Sequence, residues 1–268
     1  MYNFFRFPRF RELEEPLSIL ELVNTDTLNL RLAGLLWLIM EQRSSVIVAA
    51  RPGFAGKTTT LNVLLDFLPP NVNQVYLQGD YENFSFTEGA VPADTYMVAE
   101  EFNTSMTYIW GDTAITAFNL LPKGYGMGGT IHCGTPREVV YLFHHYLGLS
   151  LDLISHIDAV VTIRVDWEQR YGYEPLRQID SVSLLVPAEE AISLHMLAVR
   201  PPEKKEIQFA GSDRIREAFT SKYDVTYDDI EHEISVREKY LEQLMIDLRL
   251  SHRDVREAVL EFYNSSAT

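Results

Sequence analysis

The sequence of 268 residues has one cysteine, no long apolar run and no sign of a signal peptide. Cys133 alone cannot form an intrachain disulfide, which favours a reducing compartment. The longest apolar run, residues 32–40, has about half of the ~20 residues that a membrane-spanning helix needs. The first residues lack the basic segment followed by an apolar stretch that defines a signal peptide. These absences lead us to expect a cytoplasmic protein with no direct membrane span.

Basic residues are also scarce, since 23 Lys and Arg face 38 Asp and Glu, for a net charge of −15. Proteins that bind nucleic acids neutralise phosphates with Lys and Arg, so this balance argues against a nucleic-acid partner. Apolar residues make up 46% of the chain and charged residues 23%, as in ordinary globular proteins. The composition therefore excludes a disordered or low-complexity chain.

Short β-branched runs alternate with segments of helical length. An apolar stripe at helical spacing predicts a helix, with Thr25, Asp26 or Thr27 as its N-cap; it consists of Leu28, Leu32, Leu35, Leu36 and Ile39. Runs typical of strands lie at residues 46–50, 74–77, 95–98, 129–132, 159–165 and 182–186. This alternation predicts an α/β fold with a mostly parallel sheet.

A polar, proline-containing segment at residues 200–205 separates this alternation from a tail that reads as helices only. Two S/T-x-x-D capping boxes, beginning at Thr226 and Ser251, predict helix starts in the tail. We therefore expect a linker segment and entering helix at 1–44, a nucleotide-binding core at 45–200 and a C-terminal helical subdomain at 201–268.

The stretch R-P-G-F-A-G-K-T-T, residues 51–59, follows the first predicted strand and precedes a predicted helix. In that context backbone N–H groups and the helix N-terminus can face phosphates. The pattern G-x-x-x-x-G-K-[ST] lacks its first glycine, which is Arg51 here, and Gly53 offers part of the backbone freedom instead. An ordinary strand-to-helix turn is the alternative interpretation.

If the stretch is a phosphate loop, Lys57 would reach the β- and γ-phosphates and the Thr58 hydroxyl would ligate Mg²⁺. The N/T-K-x-D motif of GTP-binding proteins is absent, which favours ATP. We expect ATP and Mg²⁺ as the cofactors, bound by Gly53, Phe54, Ala55, Gly56, Lys57, Thr58 and Thr59.

Residues 55–70, A-G-K-T-T-T-L-N-V-L-L-D-F-L-P-P, closely resemble the loop and helix of type II/type IV secretion-system ATPases. Within that superfamily they are most similar to the archaeal-type motors of pilus and archaellum assembly. Further similar segments are residues 5–10, which resemble a linking strand, and residues 35–41, 231–238 and 255–263. The family's separate N-terminal domain has no counterpart in this sequence, which would make the chain a divergent member.

The resemblance also implies catalytic residues. The family's acidic box I-E-D-x-x-E corresponds to residues 77–82, with Gln78 at its first Glu and Glu82 retained. The Gly-Glu that ends the family's Walker B strand corresponds to Ala99 and Glu100. The histidine box corresponds to residues 123–132, where its second His is His132 and its first is replaced by Tyr125. The resemblance thus implies Glu100, Glu82 and His132 as catalytic residues.

These similarities imply a RecA-like P-loop core and a homo- or hetero-hexamer in which an arginine, such as Arg6 or Arg9, acts across the interface. The motor would couple ATP hydrolysis to subunit transport at a membrane platform protein, at the inner face of the cell membrane. The alternative is a catalytically impaired paralogue that binds nucleotide as an assembly or regulatory subunit, because Arg51, Gln78 and Tyr125 depart from the family pattern. A DNA-translocating motor is a third reading, which the acidic balance disfavours.

Overall fold

The computed structural model describes residues 16–105, 107–171, 174–204, 206–225 and 229–266. In these ranges one sheet of eight strands carries α-helices on both faces. The helices are α1 (Ile19–Asn24), α2 (Leu30–Glu41), α3 (Lys57–Leu65), α4 (Gly111–Phe118), α5 (Pro136–His145), α6 (Leu151–Ile154), α7 (Ser212–Tyr223), α8 (Ile230–Ile246) and α9 (His252–Ser266). The strands are β1 (Val46–Ala49), β2 (Asn73–Tyr76), β3 (Thr95–Phe102), β4 (Gly126–Ile131), β5 (Ala159–Tyr171), β6 (Glu174–Ala188), β7 (Ala191–Val199) and β8 (Gln208–Phe209).

The strand order is β2-β3-β4-β1-β5-β6-β7-β8. From β2 to β5 neighbouring strands run parallel, whereas β6, β7 and β8 continue the sheet in antiparallel fashion. The prediction of an α/β fold with a mostly parallel sheet is confirmed, and all six predicted strands are present. The last two strands, and the length of the β5–β6 hairpin, were not predicted.

The carboxyl ends of the parallel strands lie side by side at one edge of the sheet. The fully buried β1 lies between β4 and β5, with Ala49 beside Ile131 and Thr162. Beyond Thr162, β5 continues to Tyr171 in a long hairpin with β6. The hairpin therefore extends past the edge at which β1 and β4 end.

Each face of the sheet carries its own apolar core. One core includes buried residues of α2, α3, α7, α8 and α9, and the other includes those of α4 and α5. In the first core Trp37 stacks on Phe67 with ring centroids 5.1 Å apart. At the crossing of α2 and α8, a Cβ placed on Gly34 would lie 2.8 Å from the carbonyl oxygen of Ile234, so only glycine fits. The helices of the tail thus share a core with α2 and α3, and the three-part division remains a prediction.

The helix starts differ from the predictions in one place. The predicted N-caps Thr25, Asp26 and Thr27 are wrong, because α2 is capped by Asn29, whose side chain accepts the Leu32 N–H at 2.9 Å. The predicted start at Ser251 is confirmed, since its hydroxyl accepts the Asp254 N–H at 3.2 Å. Thr226 and the linking segment with Arg6 and Arg9 lie outside the described residues. None of the described helices is long and apolar enough to cross a membrane.

Candidate functional site

The chain between β1 and α3 forms a loop that ends in a left-handed glycine. Gly56 is the N-cap of α3 with φ of 87°, a conformation that L-residues rarely adopt. Its carbonyl accepts the Thr60 N–H at 2.8 Å, so the helix begins at once with Lys57. The first N–H groups of a helix have no partner within the helix, and together with the helix dipole they favour an anion. The loop therefore ends at a helix N-terminus whose backbone N–H groups can bind an anion.

A second left-handed residue in the loop is Phe54, with φ of 58°. The sequence suggested that Gly53 provides the backbone freedom, but its φ lies outside the left-handed region. The left-handed conformation of Phe54 is uncommon for a bulky residue and needs support from the surrounding structure. Support comes from Arg177 on β6, whose Nε donates to the Phe54 carbonyl at 2.9 Å. The Phe54 ring is 89% exposed.

Arg51, which replaces the first glycine of the motif, holds the start of the loop. Its guanidinium pairs with Glu138, near the start of α5. The Arg51 side chain packs against Gly134, where a Cβ would lie only 2.5 Å from the arginine Nε. The other oxygen of the Glu138 carboxylate accepts the Gly134 N–H at 2.7 Å. Arg51 thereby connects the loop to the turn between β4 and α5.

Lys57 lies beside His132, and their shared role in one site remains a prediction. The lysine is 6% exposed, and its Nζ lies 3.1 Å from the His132 Nε2. The His132 Nδ1 lies 3.0 Å from the Arg51 carbonyl oxygen, so we assign the ring proton to Nδ1 and the lone pair facing the lysine to Nε2. Burial lowers the pKa of Lys57, and the negative charge of Glu101 partly opposes this.

The carboxylate at this cluster belongs to Glu101. Its Oε1 lies 3.5 Å from the His132 Nε2, and its side chain is 15% exposed. The predicted Glu100 is exposed, and its backbone carbonyl accepts the Thr130 hydroxyl at 2.7 Å. Adjacent residues of a strand point to opposite faces of the sheet, so only one of Glu100 and Glu101 can face Lys57. The sequence could have raised Glu101 as a candidate on this ground. The catalytic role of Glu100 remains a prediction.

The other predicted catalytic carboxylate, Glu82, folds the loop after β2. Its two oxygens accept the backbone N–H groups of Gln78 at 3.0 Å and of Phe84 at 2.7 Å. Gln78 is exposed, and the carboxylate stabilises the turn that contains it. The structure thus gives Glu82 a local role, and its action on water remains a prediction.

The two residues of the histidine box are not brought together. Tyr125 precedes β4 and is buried in the core of α4 and α5, edge-to-face with Phe86 at 6.2 Å between ring centroids. His132 follows the other end of β4, seven residues on, which in an extended strand is about 23 Å away. A hydrogen bond from Tyr125 to a phosphate at Lys57 is therefore excluded by its place in the fold.

The remaining loop residues differ in exposure. Ala55 is buried, Thr59 is half-buried and Thr58 is exposed in the first turn of α3. In the described part of the chain, no group of three His, Cys, Asp or Glu side chains could hold a metal ion. Mg²⁺ needs only one or two protein ligands when phosphates and waters supply the rest, so the Thr58 hydroxyl fits Mg²⁺ that arrives with a nucleotide.

No family model matches the chain. The uncharacterized protein MJ1287 of Methanocaldococcus jannaschii is 21% identical over 248 residues, which cover 84% of this chain and 90% of that protein. The uncharacterized protein MJ0900 of the same organism is 38% identical over 56 residues, or 21% of this chain and 10% of that protein.

Two solved structures are similar in part. The VirB11 ATPase of the Brucella suis type IV secretion system, in complex with sulphate, has a TM-score of 0.40 and 17% identity, covering 66% of this chain and 59% of its own. The Legionella pneumophila ATPase DotB has a TM-score of 0.37 and 12% identity, covering 92% of this chain and 66% of its own. The chain thus spans less than two thirds of the length of either structure. Similarity at these TM-scores supports no conclusion about function.

Proposed function

We propose that this chain is a P-loop ATPase of the kind that drives secretion, pilus or archaellum assembly. ATP and Mg²⁺ would bind at residues 53–59 of a RecA-like core, and a hexameric ring would couple hydrolysis to subunit transport at a membrane platform protein. The resemblance of residues 55–70 to that family motivates the motor function. The geometry around Lys57 supports the nucleotide site on its own.

The observation that carries the nucleotide site is the burial of the Lys57 ammonium at a loop that presents backbone N–H groups. Burial disfavours a charged ammonium, and one neighbouring carboxylate, Glu101, only partly compensates. A triphosphate would bring negative charge to this ammonium and to the N–H groups at the start of α3. An ordinary strand-to-helix turn has the same N–H groups but no need of a buried ammonium.

Each residue then has a chemical task. The loop and Lys57 would hold the β- and γ-phosphates, and the Thr58 hydroxyl would hold Mg²⁺, which neutralises phosphate charge when bound. Glu101, or Glu100, would orient the water that attacks the γ-phosphate in line. His132 would hold the Lys57 ammonium in place, because its Nε2 accepts from the lysine while its Nδ1 donates to the Arg51 carbonyl.

A second candidate is a nucleotide-binding paralogue with little turnover, acting as an assembly or regulatory subunit. It is favoured by the burial of Tyr125 at the far end of β4, which leaves His132 as the only member of the histidine box at Lys57. Loss of one acid–base group costs about 10²- to 10⁴-fold in rate. Binding would persist in such a protein because Lys57, Thr58 and the N–H groups at the start of α3 are retained.

The test measures ATP binding by calorimetry and phosphate release at steady state, in the wild type, in Lys57→Ala and in Lys123→Ala. Lys123 is an exposed lysine before β4 and serves as the matched control. We expect Lys57→Ala to lose ATP binding at least tenfold and Lys123→Ala to bind like the wild type.

Phosphate release that Lys57→Ala abolishes would support the motor, and binding without release above the blank would support the paralogue. A wild type that binds no ATP would contradict both.

A further inference from the structure

The carboxylate of Glu101 is held by a neighbouring side chain on the loop that follows β3. Its Oε1 accepts a hydrogen bond from the Asn103 Nδ2 at 2.8 Å, and the same oxygen lies 3.5 Å from the His132 Nε2. The Glu101 side chain is mostly buried, so water has limited access to it. The bond to Asn103 therefore restrains the carboxylate oxygen that lies beside His132.

The orientation of the Asn103 amide follows from its two hydrogen-bond partners. Its Oδ1 accepts the Ser105 backbone N–H at 3.2 Å, and a backbone N–H can only donate. An ionised carboxylate can only accept, so the NH₂ group must be the end of the amide that faces Glu101. Both contacts thus assign the oxygen and the nitrogen of this amide in the same way.

The backbone around Asn103 is closed by hydrogen bonds of its own. The Ile109 N–H donates to the Glu101 carbonyl at 3.1 Å, and the Asn103 N–H donates to the Ile109 carbonyl at 3.3 Å. Ile109 is buried in the apolar core that includes α4 and α5. The base of the loop is thus anchored to the core, and the amide projects from a backbone that is held in place.

We propose that Asn103 is a positioning residue that holds the Glu101 carboxylate beside Lys57 and His132, an inference that rests on the proposed function. A carboxylate can rotate about its side-chain bonds, and the hydrogen bond to Asn103 selects one orientation. In that orientation the charge of Glu101 raises the pKa of Lys57, and the carboxylate can orient the attacking water. Asn103 acts through Glu101 and does not bind the phosphates itself.

The first test is the pKa of Lys57, measured by an NMR titration of the lysine Cε. The chain has six lysines, and Lys57→Arg identifies the resonance of Lys57. We expect Asn103→Ala to lower the pKa of Lys57 in the same direction as Glu101→Gln, because the carboxylate is no longer held near the ammonium. In the Glu101→Gln background, Asn103→Ala should lower this pKa no further.

Asn71→Ala is the matched control for this titration. The Asn71 Nδ2 donates to the Asp94 Oδ1, also at 2.8 Å. This pair lies before the first residues of β2 and β3, at the opposite end of the parallel strands from Glu101. The change removes an amide–carboxylate hydrogen bond of the same length, and we expect the pKa of Lys57 to match that of the wild type.

Phosphate release separates the bond to Glu101 from the turn that Asn103 also forms. Asn103→Asp keeps an oxygen for the Ser105 N–H and replaces the donor to Glu101 with a second oxygen. We expect kcat for phosphate release to fall by up to about 10²-fold, with KM for ATP nearly unchanged because Lys57 and the loop still hold the phosphates. Asn71→Asp should match the wild type.

An unchanged pKa of Lys57 in Asn103→Ala, or an equal fall with and without the Glu101 carboxylate, would overturn the inference and leave the proposed function standing. Wild-type release in Asn103→Asp would assign Asn103 to the turn alone and would also overturn it. If the wild type has no measurable release, the pKa comparison alone decides. A wild type that binds no ATP would contradict the proposed function, whatever the titration shows.

Discussion

At Lys57, burial and charge act in opposite directions on one ammonium group. Burial lowers the pKa of Lys57, and the carboxylate of Glu101 raises it. His132 lies between the two, 3.1 Å from the lysine Nζ and 3.5 Å from the Glu101 Oε1. Burial therefore dominates the pKa of Lys57, and the Glu101 carboxylate on β3 helps the lysine to keep its charge.

Glu101→Gln should lower the pKa of Lys57 further, because the change removes the negative charge and keeps the shape of the side chain. The pKa is measured by an NMR titration of the lysine Cε. If Glu101 accepts the proton of the attacking water, phosphate release should also fall about 10²- to 10⁴-fold.

Glu100→Gln is the matched control for this prediction, since Glu100 is the exposed neighbour in the same strand. We expect it to leave the pKa of Lys57 unchanged. A fall in phosphate release with Glu100→Gln and not with Glu101→Gln would assign the water-orienting role to Glu100.

At the scale of elements, a strand was predicted from the sequence where its apolar residues form a continuous run, and it was missed where they do not. β1 and residues 159–163 of β5 were predictable because they are short, largely β-branched runs that are fully buried, whereas β2 at the sheet edge has no buried residue. β7 was missed because exposed and half-buried residues interrupt its apolar ones, and β8 has only two residues. The polar outer part of β5 gives no apolar run, so the length of the hairpin was not predicted.

The site divides in the same way. The loop, Lys57 and His132 were predictable because local motifs contain them. The contacts of Arg51 with Glu138 and of Arg177 with Phe54 were not, since they join residues 87 and 123 positions apart. Such contacts depend on how strands and helices are arranged in space, which one sequence does not state.

The helix α3 is tied to the C-terminal helix α9 by an ion pair that depends on pH. His252, the first residue of α9, lies with its Nε2 3.0 Å from the Oδ2 of Asp66, the C-cap of α3. The nearby Asp66 carboxylate raises the pKa of His252 above its usual value. Protonated His252 contributes its full stabilisation of the fold at pH values below the pKa of an unfolded histidine, about 6.5. This contribution is lost as the pH rises through the pKa of His252 in the folded protein.

We therefore expect His252→Gln to destabilise the fold most at acidic pH, with a difference from the wild type that shrinks as pH rises past the folded pKa. Denaturant unfolding between about pH 5.5 and 8.5 measures this difference. Asp66→Asn should remove the same pH dependence, and the double variant should add little to either single change. A difference that grows as pH rises would contradict the ion pair.

For the whole molecule, the net negative charge contrasts with a small group of cations at the loop before α3. The net charge is −15, yet the loop region brings together Arg51, Lys57 and Arg177. They meet at the carboxyl edge of the parallel strands, where ligands bind in open α/β sheets. Arg51 is paired with Glu138, and Glu101 lies beside His132, so carboxylates also lie at this edge. The negative charge of a bound phosphate would add to theirs, and Lys57 is the buried cation that would face it.

The most direct test of the nucleotide site is a crystal structure of the chain grown with MgADP. We predict that the phosphates occupy the loop, with oxygens at about 2.7–3.2 Å from the N–H groups of Gly56, Lys57 and Thr58 and from the Lys57 Nζ. Nucleotide bound elsewhere, or an unoccupied loop at saturating MgADP, would contradict the account.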